Sequence, residues 1–206
     1  MHIYPRSSLL LSLVNTLRDQ ALDAFCFRHT IKEITKILLN EALKNMQTQA
    51  RTVQTWKGEQ EIDVIDEERI MIVSVLRAAL PMHEAAVETL RGAESGFLGM
   101  KRDEASHESV LYYDRVGDCS GKTVILVDPM VATGGSLCDA IKLLRSKGAE
   151  RIKTLNIVAS PEGLARVEER FGEVEIYIAQ IDERLDENKY ILPGLGDAGD
   201  RAYNTL

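Results

Sequence analysis

Apolar residues change their spacing several times along the chain, and each change marks a different kind of element. Leu9-Leu10-Leu11-Ser12-Leu13-Val14 predicts an amphipathic helix packed on the body of the protein or on a partner subunit. From Thr30 to about Met46, Ile31, Ile34, Ile37, Leu38 and Ala42 recur at helical intervals, and Thr30 with Glu33 predicts a capping box at the start. Gln47 to Asp66 is polar and broken, as in a connection or an edge hairpin. Ile70 to Val75 is a short β-branched run, expected of a strand buried on both faces. A helix over Pro81–Leu90, a weaker strand at Phe97–Met100 and an exposed arm over Lys101–Glu108, returning through Val110–Tyr113, come next. Thr123–Val127 is the clearest strand; a turn over Asp128–Gly135 and a helix over Ser136–Ser146, with Gly148 as its C-cap, follow it. Ile152–Ala159, Pro161–Phe171 and Val174–Ala179 continue as strand, helix and strand, and residues 184–206 are irregular and glycine-rich.

Strands alternating with helices predict an α/β fold, a mostly parallel twisted sheet with helices on both faces, plus a β-arm and a C-terminal loop or hood. We expect one domain over 1–206, with a helical segment at 1–46 and a distinct C-terminal segment at 184–206.

Composition narrows the function. A net charge of −7 argues against nucleic-acid or membrane-surface binding, which rests on a basic footprint. Cys26, Cys119 and Cys138 are odd in number and form no CxxC, so neither a disulfide framework nor a thiolate metal site is expected, and a reducing cytoplasm suits them. No apolar run is long enough to span a membrane. The Leu9–Val14 run lacks a small-residue cleavage site and meets Arg18 and Asp19 soon after, unlike an export signal.

Three segments carry candidate chemistry. In Val127-Asp128-Pro129-Met130-Val131-Ala132-Thr133-Gly134-Gly135-Ser136 a buried strand delivers the chain to the carboxyl edge of the sheet, where α/β ligands bind. The turn's N–H groups and the hydroxyls of Thr133 and Ser136 can cradle a phosphate. This loop matches neither GxxxxGK[ST] nor GxGxxG. A tight strand-to-helix turn capped by Ser136 would show the same spacing. Asp128 beside a phosphate needs other work, and sugar hydroxyls would supply it. In Tyr190-Ile191-Leu192-Pro193-Gly194-Leu195-Gly196-Asp197-Ala198-Gly199-Asp200-Arg201, three glycines and a proline argue against a helix or central strand and leave backbone groups free for a flat ligand. A flexible tail would share that composition. In Val73-Ser74-Val75-Leu76-Arg77-Ala78-Ala79-Leu80-Pro81-Met82, Arg77 follows a buried strand, and its guanidinium fork suits a diphosphate or an ordinary salt bridge.

Together these segments resemble the uracil branch of the type I phosphoribosyltransferases. Asp128-Pro129-Met130, where most relatives carry two adjacent acids, is similar to its motif for 5-phosphoribosyl 1-diphosphate (PRPP), and the C-terminal loop resembles its uracil-binding loop. The specific likeness covers roughly residues 70–206, and Phe27-Arg28 with the following helix is weaker. The resemblance implies transfer of ribose 5-phosphate from PRPP to uracil, giving UMP and diphosphate in pyrimidine salvage. It assigns Asp128, Arg77 and Arg102 to catalysis; these, Pro129 to Ser136 (Pro129, Met130, Val131, Ala132, Thr133, Gly134, Gly135, Ser136) and Asp197 to PRPP; and Ile191, Gly196, Asp197 and Ala198 to uracil. Mg²⁺ would ride on the diphosphate without an assigned side-chain ligand. A homodimer or higher oligomer is implied, and GTP activates some relatives. Ser74, Ala79 and Pro81 depart from the family's proline, glycine and glycine, which predicts an altered diphosphate loop. No histidine stands in the motifs, so no histidine base is expected; His83 is expected on a helix surface. Rival readings are a transferase for another base, an RNA-binding regulatory relative, and a degenerate enzyme.

Overall fold

A computed structural model describes residues 2–5, 7–102 and 109–205, with only the backbone described for His2, Arg102 and Ser109. The chain opens with a short strand β1 (His2–Ile3) and helix α1 (Ser8–Arg18), whose Leu10, Val14 and Leu17 are buried on one stripe. The Ser7 side chain accepts from Leu10 N at 3.4 Å and caps α1.

Helix α2 (Ala24–Leu43) begins earlier than the sequence predicts. Asp23 is the N-cap, accepting from Cys26 N at 2.8 Å, and Thr30 lies inside the helix, its hydroxyl donating to Cys26 O at 2.9 Å. A threonine that bonds back one turn is satisfied within a helix, so the Thr30/Glu33 spacing marks no boundary. Strands β2 (Thr48–Thr55) and β3 (Gly58–Ile65) pair only with each other, as an exposed hairpin with Trp56 at its tip.

The rest of the chain alternates. Strand β4 (Ile70–Leu76), helix α3 (Leu80–Thr89), strands β5 (Glu94–Arg102), β6 (Ser109–Arg115), β7 (Thr123–Val127) and β8 (Met130–Val131), and helix α4 (Gly135–Ser146) precede strand β9 (Arg151–Ala159), helix α5 (Pro161–Arg170) and strand β10 (Glu175–Ile181). The main sheet runs β1-β10-β9-β7-β4-β5-β6, with β8 extending alongside β9; β6 is antiparallel to β5, and the other pairings are parallel. The expected exposed arm at 101–108 falls largely on residues 103–108, outside the described residues.

Period-two alternation buries both sheet faces. Ile70, Ile72, Ile125, Val127 and Leu155 face α1, α2 and α3, whereas Met71, Val73, Val124 and Leu126 face α4 and α5. The C-terminal segment is more regular than expected: β11 (Arg184–Leu185) pairs with β12 (Ile191–Leu192), and Ala198–Tyr203 forms helix α6. The Asp197 carboxylate accepts from Asp200 N at 2.9 Å, which starts a helix despite Gly199. No described helix is long and apolar enough to cross a membrane.

Phe27 is fully buried, with the Arg201 guanidinium 4.3 Å above its ring. Phe27→Ala should destabilise the fold by about 3–5 kcal/mol, seen in calorimetry as a Tm lower by about 10 °C.

Candidate active site

The carboxyl ends of β4, β7 and β9 lie side by side, because Ser74 pairs with Val127 and Val127 with Leu155. Three loops leave this edge. The loop after β7 is fastened from behind by α5: Ser160 N donates to Val131 O at 3.0 Å, Ser160 Oγ to Ala132 O at 2.6 Å, and Arg166 to Thr133 O at 3.4 Å. A trans peptide points its N–H opposite to its carbonyl, so the Thr133 and Gly134 amides face away from α5. Gly134 has φ +73°, and a Cβ there would meet Gly163 O at 2.5 Å. Only glycine fits, and α4 starts at the next residue, its dipole adding to the amides. Thr133 and Ser136 are half-buried beside them.

Asp128 follows the last residue of β7. Its backbone is held by Leu155 O (3.2 Å) and by the Asn156 amide, which donates to Asp128 O at 2.7 Å. Met130 N donates to its carboxylate at 3.3 Å. Burial outweighs that bond and pushes the Asp128 carboxyl up to about 7, although the residue keeps some contact with solvent. Sequence reasoning missed Asn156; an amide inside the apolar run Leu155–Ala159 was the available signal, and Thr154 Oγ1 donates to it at 2.8 Å.

A cavity of about 490 Å³ opens between this loop and the C-terminal segment. Met130 and Ala132 form one wall; Ile191, Leu195, Gly196 and Asp197 form another; Gln20, from the turn after α1, closes the side. Of the sequence-predicted residues, Met130, Ala132, Ile191, Gly196 and Asp197 therefore share one cavity, whereas Arg77, Asp128 and Thr133 to Ser136 do not line it and Ala198 is buried at the start of α6. Gln20 carried no sequence signal. Another cavity of about 470 Å³ lies at the opposite end of the strands, lined by Thr123, Arg151 and Glu175, remote from all three loops.

Arg77 is exposed, and its guanidinium donates to Asp200 at 2.7 Å and Thr205 at 3.1 Å, the salt bridge that its place after a buried strand allowed. That ion pair ties the loop after β4 to α6. Arg102 ends β5, and its side chain lies outside the described residues. Ala79 adopts φ −80°, ψ −4°, open to alanine, and Pro81 falls in the first turn of α3, where its missing N–H costs nothing. Both residues are thus locally unstrained in this loop. His83 is half-buried rather than a surface residue: its Nδ1 lies 2.9 Å from Ser74 Oγ and its ring centroid 4.5 Å from that of Phe97. Burial holds its pKa below the ordinary value.

A strand-end carboxylate and an amide-lined strand-to-helix loop at the carboxyl edge of a mostly parallel sheet, with a capped C-terminal loop beside them, belong to the phosphoribosyltransferase fold. A hypoxanthine-guanine phosphoribosyltransferase from Bacillus anthracis shares that fold, with TM-score 0.52 at 15% identity, covering 77% of this chain and 80% of that one. A family model described as uracil phosphoribosyltransferase matches residues 4–205. A uracil phosphoribosyltransferase of Aquifex aeolicus is 44% identical over 190 residues, covering 92% of this chain and 91% of that protein. A solved structure from the same organism superposes with TM-score 0.95 at 41% identity, covering 100% of this chain and 99% of that one. The chain belongs to the uracil phosphoribosyltransferase family.

The raised Asp128 pKa has a direct consequence for stability. The folded chain holds this proton more tightly than the unfolded chain, so the contribution to stability is fully present below about pH 3.8 and is lost as pH rises through about 7. Asp128→Asn should therefore leave the ligand-free Tm unchanged near pH 3.8, and raise it by about 2 °C or more at pH 8. Equal Tm values for variant and wild type at pH 8 would contradict a buried, destabilised carboxylate.

Proposed function

We propose that the protein is a uracil phosphoribosyltransferase, converting uracil and PRPP to UMP and diphosphate in pyrimidine salvage. The observation that carries this is the shared cavity, in which the wall from the loop after β7 meets the wall from Ile191 to Asp197. Residues 1–206 act as one catalytic unit, with 184–206 supplying the base site and 1–46 the helical support beside it.

The reaction breaks the bond from ribose C1 to diphosphate and forms one to a pyrimidine nitrogen. C1 gains positive character as the leaving group gains negative charge, so the site must stabilise both and exclude water. The loop Ala132–Ser136 receives the 5-phosphate on its amides and hydroxyls, with Pro129, Met130 and Val131 setting its path. Asp128 accepts from ribose hydroxyls, and its ionised form favours the developing positive charge nearby. Arg77 and Arg102 hold the diphosphate, Arg77 exchanging Asp200 for the anion. Asp197 reaches the PRPP side of the base. Ile191 covers the pyrimidine, and backbone groups of Gly196, Asp197 and Ala198 read its edge, against which cytosine should pair poorly. Positioning supplies much of the remaining rate advantage, and no histidine base is required.

Among the described residues no group of three or more His, Cys, Asp or Glu side chains could hold a metal ion. Mg²⁺ would be held by the diphosphate oxygens, where it would neutralise leaving-group charge. A homodimer or larger assembly is supported by the apolar outer strand β6, which exposes Val110, Leu111, Tyr112 and Tyr113. A cytoplasmic setting suits three unpaired cysteines. GTP would activate the enzyme, as the family resemblance implies for some relatives.

Radiolabelled uracil with PRPP and Mg²⁺, with and without GTP, should yield UMP, whereas cytosine, hypoxanthine and orotate should not react. Nucleotide formed from another base would overturn the base assignment. Arg77→Ala should lower kcat/KM by about 10²–10³-fold through lost stabilisation of the leaving group. In Gly163→Ala a Cβ would stand 2.2 Å from Ala132 O. The shifted loop should raise the KM for PRPP by about tenfold or more, and an unchanged KM would argue against phosphate binding there.

A further inference from the structure

Helix α1 ends on two arginine contacts that reach the base loop from outside the cavity. Arg18, the last residue of α1, donates to Asp182 Oδ1 at 2.6 Å and Oδ2 at 3.0 Å, and to Gly194 O at 2.8 Å. The Asp182 side chain is 1% exposed and also accepts from Gly194 N at 2.9 Å. Both backbone groups of Gly194 are thus held by one ion pair whose carboxylate is buried and whose guanidinium is half-buried. Arg201 takes the next carbonyl, donating to Leu195 O at 2.8 Å. It is held in turn by Asp19 O at 2.5 Å and by a short bond to Leu17 O, at the carbonyl end of α1.

The carbonyls of Gly194 and Leu195 therefore both point toward the α1 side. Their peptides are trans, so the Leu195 and Gly196 N–H groups point the other way. Gly196, at φ +72°, lines the cavity, as does Gln20 two residues beyond Arg18. We propose that the carboxyl end of α1 belongs to the base-recognition apparatus, with Arg18 a positioning residue that acts through Asp182 and Gly194 to aim the Gly196 and Asp197 backbone at the pyrimidine edge. The inference rests on the uracil reading above. It gives α1 a task in catalysis that a packed surface helix would not have.

A purely structural ion pair would change the amount of folded enzyme and leave both KM values alone. Arg18→Lys separates the two cases. The lysine keeps the charge beside Asp182 but lacks the fork needed to hold Asp182 in two-pronged fashion and reach Gly194 O as well. Steady-state kinetics on the full chain, below the Tm of each variant, should show the KM for uracil raised about tenfold, the equivalent of one good hydrogen bond to the base. The KM for PRPP should stay within about twofold, because the loop after β7 is fastened separately by α5. Asp182→Asn should give the same split. An unchanged KM for uracil, or both KM values rising together, would overturn the proposal. A wild-type chain that makes no UMP would overturn the uracil reading itself, and this inference with it.

Discussion

A trans peptide cannot present its carbonyl and its N–H on the same side, and the candidate site is organised around that constraint. Its ligands are rich in oxygen atoms, so the loops must offer donors. On the loop after β7 the outward carbonyls of Val131, Ala132 and Thr133 are engaged from behind by Ser160 and Arg166. On the base loop the carbonyls of Gly194 and Leu195 are engaged by Arg18 and Arg201. Both loops thus have a donor-bearing outer shell that turns their own amides inward. The arginines of that shell do not line the cavity, so the orienting role proposed for them acts through the backbone.

The same arrangement explains how a chain of net charge −7 can serve polyanionic substrates. Amides and a helix start supply partial positive charge without mobile lysines, and they need no reorganisation when the ligand arrives. The one carboxylate at the end of β7 is compromised by its burial, which favours its proton in the empty site. The ribose hydroxyls proposed as its partners would favour the ionised form by donating to it.

Much of the fold was legible because a parallel sheet buried on both faces writes itself as β-branched runs: Ile70–Val75 and Thr123–Val127 are near matches to β4 and β7. Helix starts were less legible. Thr30 and Glu33 imitate a capping box, but the packing of Ala24 and Phe27 extends α2 past that point to Asp23. The C-terminal helix was hidden by Gly199, because a single side-chain cap from Asp197 outweighs one glycine's propensity penalty of about 1 kcal/mol. Within the candidate site, residues carried by a contiguous motif were visible in the sequence. Asn156, Arg18, Asp182 and Gln20 were not, since their meaning depends on contacts such as Arg18 with Asp182, which are 164 positions apart in the chain.

The loop after β4 shows how unusual residues can be absorbed without altering the design. Ala79 and Pro81 stand where an αR alanine and a first-turn proline carry no penalty, and Ser74 gains a partner in His83, tying α3 to β4. Burial disfavours charge on His83, so this tie does not compete electrostatically with an arriving diphosphate. Arg77 is left between fixed ends, paired with Asp200 at 2.7 Å, with the two side chains 50% and 30% exposed. Such an exposed pair is worth about 0–1 kcal/mol. A charge-assisted hydrogen bond to a diphosphate oxygen contributes roughly 1.5–3 kcal/mol. The proposed exchange of Asp200 for diphosphate would cost α6 little, because Asp200 N remains held by Asp197. The resting salt bridge and the proposed diphosphate contact are then two stations of one side chain, not competing explanations of why an arginine stands at this strand end.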